Sequence, residues 1–136
     1  MSPSKPPEGE SPSAHVWQTL NYRWLEDGAL EWDAGEEYTF PDGAGGSIVH
    51  GGLVATLLDS AMGTACLNEL DDGQSFLTAD LNVEFFRAAR PGTLRAEGRV
   101  VQRNRRVVFC AAELFQDGEL IASARCTQIV RRAAGS

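Results

Sequence analysis

From residue 51 to about residue 69 the chain reads GGLVATLLDSAMGTACLNE, a stretch dominated by Ala, Leu and Met and apolar on nearly every side. A helix that is apolar all round is a buried one, so the rest of the fold has to close around it. Asp71-Asp72-Gly73 ends it. Four runs with strand character follow, at 76–87, 93–103, 106–116 and 119–130. The first alternates, with Leu77, Ala79, Leu81, Val83 and Phe85 on one face and Thr78, Asp80, Asn82 and Glu84 on the other. Pro91-Gly92, Asn104 and Asp117-Gly118 punctuate the connections, which are too short for helical crossovers. Consecutive strands are therefore expected to be antiparallel neighbours. One buried helix with five or six antiparallel strands predicts an α+β domain whose sheet wraps around the helix.

Before the helix the signals are weaker. Residues 1–13, MSPSKPPEGESPS, carry no large apolar side chain beyond Met1 to offset the entropy of ordering, and are expected to be a disordered tail. Residues 15–20 suit a short helix. The stretches 21–26 and 29–33 flank Asp27-Gly28, a hairpin signal. Residues 36–40 could extend that strand region, and 41–47, PDGAGGS, read as a loop. The domain is expected to span 14–130, with 131–136 frayed.

At 136 residues the chain is one domain in size. Its net charge of -7 argues against a sequence-independent grip on nucleic acid, which relies on clustered Lys and Arg. Cys66, Cys110 and Cys126 are odd in number, lack a C-x-x-C pair and sit in apolar runs. They predict small buried hydrophobes in a reducing, cytoplasmic setting, with no metal site. The longest apolar stretch, 53–67, is broken by Asp59, Ser60 and two threonines, so no membrane span is expected.

The chemistry concentrates in Ile48-Val49-His50-Gly51-Gly52 and the helix behind it. Two glycines at a helix start let another group approach the backbone. The first-turn N–H groups there have no intrahelical partners, and the helix dipole is positive. That is a place for a developing negative charge, such as a carbonyl oxygen under attack, and His50 stands beside it. Asp59, a carboxylate midway along an apolar helix, is costly unless paired or set at a cavity. It is either a base or nucleophile, or a residue that faces solvent or pairs with an arginine.

His50-Gly51-Gly52 with Asp59 nine positions after His50 resembles the hotdog-fold acyl-CoA thioesterases of the phenylacetate-type (PaaI-like) family. The likeness continues through Thr78-Ala79-Asp80-Leu81-Asn82-Val83-Glu84-Phe85-Phe86-Arg87 and Ala89-Arg90-Pro91-Gly92. It implies a hotdog fold, assembled as a homodimer or homotetramer, that hydrolyses an acyl-CoA thioester. Coenzyme A enters only as part of the substrate, and no other cofactor is implied. The N–H of Gly52 would polarise the carbonyl, and Asp59 would be general base or nucleophile across a dimer interface. His50 would support the loop, beside Gly51 at the substrate, and Thr78 would help position water, although strict alternation puts Thr78 on the face opposite Leu77. Arg87 and the turn residues Arg103, Arg105 and Arg106 would line the nucleotide end. Ala44 departs from the pattern, since the family often has Asn or Gln six residues before the histidine; either Asp42 or Ser47 substitutes, or the helper is missing. A non-catalytic module that binds acyl-CoA is the competing expectation.

Overall fold

The computed structural model describes residues 15–132. A short helix α1 (Val16–Thr19) leads into a hairpin of β1 (Arg23–Trp24) and β2 (Leu30–Ala34). Its turn is closed by Gly28, at φ 91°, and by the Asp27 carboxylate, which accepts from the Ala29 N–H at 3.0 Å. A 3-10 turn at Glu36–Tyr38 precedes β3 (Thr39–Pro41) and β4 (Ser47–Val49), which pair only with each other. Residues 36–40 thus start a separate two-stranded ribbon and do not extend β2. The long helix α2 (Gly51–Leu67) follows, then β5 (Gln74–Phe85), β6 (Gly92–Arg103), β7 (Val107–Gln116) and β8 (Glu119–Arg132).

These strands form one antiparallel sheet in the order β1-β2-β6-β7-β8-β5, with α2 packed across it. The expected α+β hotdog architecture is present, but one neighbour relation differs. β5 pairs with β8 and not with the strand that follows it in sequence. Reaching β6 means crossing three strand spacings, about 14 Å. The six residues 86–91 can span about 20 Å when extended. A connection too short for a helix is therefore long enough to run across the end of the sheet. It is fastened there by Phe86 N–H to Ile121 O and Val49 N–H to Ala89 O, both at 2.8 Å. β8 also continues to Arg132, where Arg131 and Arg132 pair with Ser75 and Gln74, two residues past the expected end. The expected tails at 1–13 and 133–136 lie outside the described residues.

The core is an interlock of large and small side chains. From α2, Val54, Leu57, Leu58, Met62 and Cys66 are buried. Opposite them the sheet offers mostly small residues: Ala96, Cys110, Ala112, Ala122, Ala124 and Cys126. Each fully buried Leu or Met contributes about 1.5–3 kcal/mol. Small residues on the sheet let the helix come close, and Gly98 marks the closest approach. A Cβ built at Gly98 would lie 2.4 Å from the Ala61 carbonyl oxygen and 2.6 Å from its carbon. That contact is with backbone, which cannot swing aside. Gly98→Ala should therefore lower stability by at least about 1–3 kcal/mol, the usual cost of overpacking a core. Urea unfolding of the variant checks this; a midpoint within error of wild type would show that the helix can lift without loss.

Candidate active site

The helix start is held by the strands around it. The His50 N–H donates to Tyr38 O at 2.9 Å, and the His50 carbonyl accepts from Leu53 and Val54 at 2.9 and 3.2 Å. His50 itself is extended and caps α2: its Nδ1 accepts from the Gly52 N–H at 3.1 Å. The donor expected to meet a substrate carbonyl is thus satisfied by the imidazole of its own loop. A carbonyl oxygen can take this N–H only as the His50 ring turns away. Gly51 faces the Phe85 ring, with 3.5 Å between a built Cβ and Cζ. A cavity of about 410 Å³ opens here, lined among others by Phe40, Gly51, Phe85, Phe86 and Arg87.

Asp59 lies seven residues beyond Gly52, about 10 Å along the same helix. The two groups are therefore not brought together within one chain. Among the described residues no cation pairs with Asp59, and its Oδ1 is buried without a hydrogen-bond partner. The arginine-paired alternative has no such contact among the described residues, and the side chain as a whole is half-buried. Burial pushes its carboxyl pKa up. Burial likewise drives the nearby Tyr22 phenol up to about 12, with the Asp59 charge adding to the effect. Asp59 borders a second cavity, of about 240 Å³, whose other walls include Trp17, Trp24, Gly63, Leu67 and Phe76.

Thr78 is on the helix side of the sheet, against the expectation from strict alternation. The register of β5 on β8 slips between Thr78 and Asp80, leaving Ala79 as an extra, bulged residue. A bulge reverses the facing of everything on one side of it. Thr78, Leu81, Val83 and Phe85 therefore share the inner face, while Leu77 points outward. The Thr78 hydroxyl donates to Gln128 Oε1 at 2.8 Å, and Gln128 Nε2 donates to Cys126 Sγ at 3.3 Å. Gln128 is the one fully buried polar side chain among the described residues. The sequence reading passed over it; its signal was a Gln at an inward position of β8, between Cys126 and Val130.

The loop before His50 is closed by Asp42. Its carboxylate accepts from the Ala44 N–H (2.7 Å), the Gly46 N–H (3.0 Å) and Arg90 Nη1 (2.7 Å). The Arg90 guanidinium, followed by those two N–H groups, holds the Asp42 pKa down to about 2. Asp42 is committed to the loop, so it does not stand in for the amide side chain absent at Ala44. Ser47 gives its carbonyl to the same Arg90 at 3.1 Å.

The arginines separate into three situations. Arg87 is beside the helix-start cavity, in an exposed ion pair with Glu119 at 2.9 Å. Arg103 donates to the Glu69 carbonyl and, at 3.4 Å, to Gln74 Oε1, so it ties down the chain just past α2. Arg105 and Arg106 are exposed at the β6–β7 turn, which Asn104 Oδ1 closes by accepting from the N–H groups of Arg106 and Val107. That turn is at the far end of α2, roughly 25 Å from Gly51 of the same chain.

The thioesterase superfamily profile matches residues 46–129, a stretch that includes the histidine-glycine start, Asp59 and Thr78. The chain belongs to the thioesterase superfamily. It is 32% identical over 98 residues to a medium/long-chain acyl-CoA thioesterase of Salmonella typhimurium, covering 62% of this chain and 63% of that one. A phenylacetic acid degradation-related protein of Ralstonia eutropha superposes with TM-score 0.76 at 32% identity, covering 89% of this chain and 93% of that one. A Bacillus halodurans protein solved with CoA gives 0.75 at 28% identity, covering 85% and 75%. The chain spans about three fifths of the length of the curated relatives it matches, 60% to 63%.

The unpaired Asp59 has a consequence for stability. Its raised pKa means the folded state disfavours the charged form. The associated stability is intact below the unfolded value near 3.8 and is lost as pH rises through the folded pKa. Asp59→Asn removes that loss. Its melting temperature should exceed wild type at pH 7, with the gap closing as pH falls towards about 4. Thermal unfolding across that range is the measurement; a gap that does not vary with pH would show that Asp59 is not strained when ionised.

Proposed function

We propose that the protein hydrolyses an acyl-CoA thioester to a free acid and coenzyme A, at a site shared between two subunits. The observation that carries this is Asp59: a half-buried, unpaired carboxylate that borders a cavity and lies too far along the helix to serve its own chain's Gly52 N–H. The complementary arrangement is supplied by a second copy whose α2 runs antiparallel. The 12-residue β5 is the open edge of the sheet, and its inward-facing Leu81 and Phe85 are exposed. A long edge strand left unpaired among the described residues, with exposed apolar side chains, invites pairing with a second β5. The homodimer formed in this way can associate further into a homotetramer through the outer-face patch of Leu77, Val101, Phe109 and Ile129.

In the reaction, the carbonyl oxygen takes the Gly52 N–H as the His50 ring turns aside, and the helix dipole favours the charge that develops on it. Asp59 of the partner subunit accepts a proton from water as that water adds to the carbonyl carbon. The C–S bond then breaks and the thiolate of coenzyme A leaves, to be protonated. In the alternative route the Asp59 carboxylate itself adds to the carbonyl carbon, the C–S bond breaks to expel the thiolate of coenzyme A, and water then cleaves the acyl-aspartyl anhydride to free acid and carboxylate. Thr78, hydrogen-bonded to Gln128, would orient the water. Arg87 at the cleft and the partner's Arg105 and Arg106 would hold the coenzyme phosphates, which suit a guanidinium fork. The chemistry calls for no cofactor. The acyl-CoA relative from Salmonella and the CoA-bound Bacillus structure support this substrate class. The three unoxidised, buried cysteines favour a cytoplasmic location, and no described helix is long and apolar enough to cross a membrane.

A second reading, acyl-CoA binding without turnover, is favoured by Ala44 and by the capped Gly52 N–H. The two part at Asp59. Asp59→Asn should lower kcat by at least about a hundredfold, the scale of a lost general base, while CoA binding survives. Wild type that binds CoA yet releases no thiol from any acyl-CoA in a broad panel would favour the binding module.

The shared site has its own test. Gly52→Pro removes the N–H, so chains carrying it and chains carrying Asp59→Asn are each expected to be inactive. Hybrid dimers of the two should regain activity. Inactive hybrids, with assembly verified by sedimentation, would rule out a site built from two chains.

A further inference from the structure

Gln128 is the only polar side chain buried completely among the described residues. On β8 it stands between Thr78 of β5 and Val108 of β7, its partners in the sheet register. An apolar side chain such as that of Val108 would fill the position without desolvating an amide. The amide meets two groups. Its Oε1 accepts from the Thr78 hydroxyl at 2.8 Å, and its Nε2 donates to Cys126 Sγ at 3.3 Å. Sulfur is a weak acceptor, so the bond to Thr78 is the stronger compensation for burying the group. We propose that Gln128 is a positioning residue: by taking the only proton of the Thr78 hydroxyl, it fixes Thr78 as a pure acceptor towards the water that attacks the thioester. The inference rests on the hydrolase reading above.

Hydrogen-bond direction carries it. A hydroxyl has one proton to give and two lone pairs to offer. With the proton committed to Gln128, only the lone pairs of Thr78 Oγ1 remain for a neighbour. In the proposed reaction, water gives one proton to the Asp59 carboxylate as its oxygen adds to the carbonyl carbon. Its second proton stays on that oxygen and is accepted by Thr78 Oγ1. Both water protons are then directed into the protein, and a lone pair is left for the carbonyl. A Thr78 hydroxyl free to rotate would instead donate to that lone pair or to Asp59, and either bond opposes attack. The placement agrees. Phe76 lies two residues before Thr78 on the same face of β5, and its Cζ is 3.2 Å from a Cβ built at Gly63, one helical turn beyond Asp59. Asp59 is also within electrostatic reach of Cys126, the other partner of the Gln128 amide. Gln128, Thr78 and Asp59 therefore share the helix-facing side of the sheet.

The test uses the full-length protein with acetyl-, hexanoyl- and phenylacetyl-CoA, reading thiol release. Gln128→Met nearly keeps the volume and removes the acceptor. It should lower kcat at least about tenfold and leave KM within about twofold, since the bond bears on attack and not on substrate binding. A packing role would give the same loss whatever stands at position 78, so the change is repeated in Thr78→Val. In that background Gln128→Met should lower kcat by less than about twofold. Equal losses in both backgrounds would overturn the proposal. Where Gln128→Met does not fold, Gln128→Glu takes its place, because a carboxyl still accepts from Thr78. It should keep kcat within about threefold of wild type, and a folded Gln128→Glu with a loss of about tenfold counts equally against the role. A readout without turnover separates this inference from the reading beneath it. In wild type the Thr78 hydroxyl proton should exchange with water slowly enough to be seen by NMR, and Thr78→Val should remove the signal. A freely exchanging hydroxyl in wild type overturns the proposal. No thiol release from any of the three substrates, with that proton protected, ends the hydrolase reading while the direction of the bond stands.

Discussion

The approach of the α2 backbone to β6 at Gly98 governs the rest of the structure. Helices on sheets are normally held apart by side chains on both surfaces. Here the middle of the sheet under the helix contributes glycine, alanine and cysteine, while larger sheet residues such as Trp32, Leu94 and Leu114 fill the core around it. The helix lies low enough for its backbone to touch the strand, and the sheet curls around it. The placement of two candidate site positions follows from that depth. Gly51 and Gly52 emerge where β4 and the 86–91 crossing meet, so the helix start is anchored by backbone hydrogen bonds on both sides. Asp59, on the helix flank, is carried low enough for one carboxylate oxygen to lose water altogether.

An uncompensated carboxylate is a cost that packing alone does not explain, because a leucine or asparagine would fit the flank without it. Its neighbours make matters worse: a buried phenol with a raised pKa and a wall of tryptophans offer no counter-charge. Polar groups stranded in this way concentrate at functional sites. The loop before His50 shows the opposite design. Asp42 is fully used, by two N–H groups and Arg90, and its low pKa reflects that. The contrast between a spent carboxylate and an unspent one is what separates scaffold from candidate chemistry in this chain.

Much of this was legible in the sequence. The helix declared itself by being apolar on all sides, and the glycine pair and Asp59 stood out against it. The antiparallel strands were readable because their turns carry Asn, Gly and Pro. What escaped were features set by pairing partners rather than by local pattern. Period-2 alternation cannot reveal that Ala79 is bulged, and the bulge alone decides where Thr78 points. Neighbour order failed at β5 because a six-residue link can cross a sheet end without a helix. Gln128 looked like one more polar residue in a strand, since only register shows it facing the helix. Arg103 belonged to a basic turn in sequence, yet its guanidinium reaches back to Glu69.

The His50 cap bears on how such a site could discriminate between ground state and transition state. On the proposed reading, a thioester carbonyl must replace the imidazole as partner of the Gly52 N–H. A neutral carbonyl in place of a neutral imidazole nitrogen is close to an even exchange, since each such bond is worth about 1 kcal/mol net. Substrate binding therefore gains little from this donor. As the carbonyl carbon is attacked, charge accumulates on the oxygen, and bonds to an ionised acceptor are roughly twice as strong. The gain then falls on the transition state, where it accelerates the reaction rather than tightening substrate binding. A helix start left uncapped would instead bind solvent or a ground-state carbonyl equally well, and the same N–H would lose part of that preference.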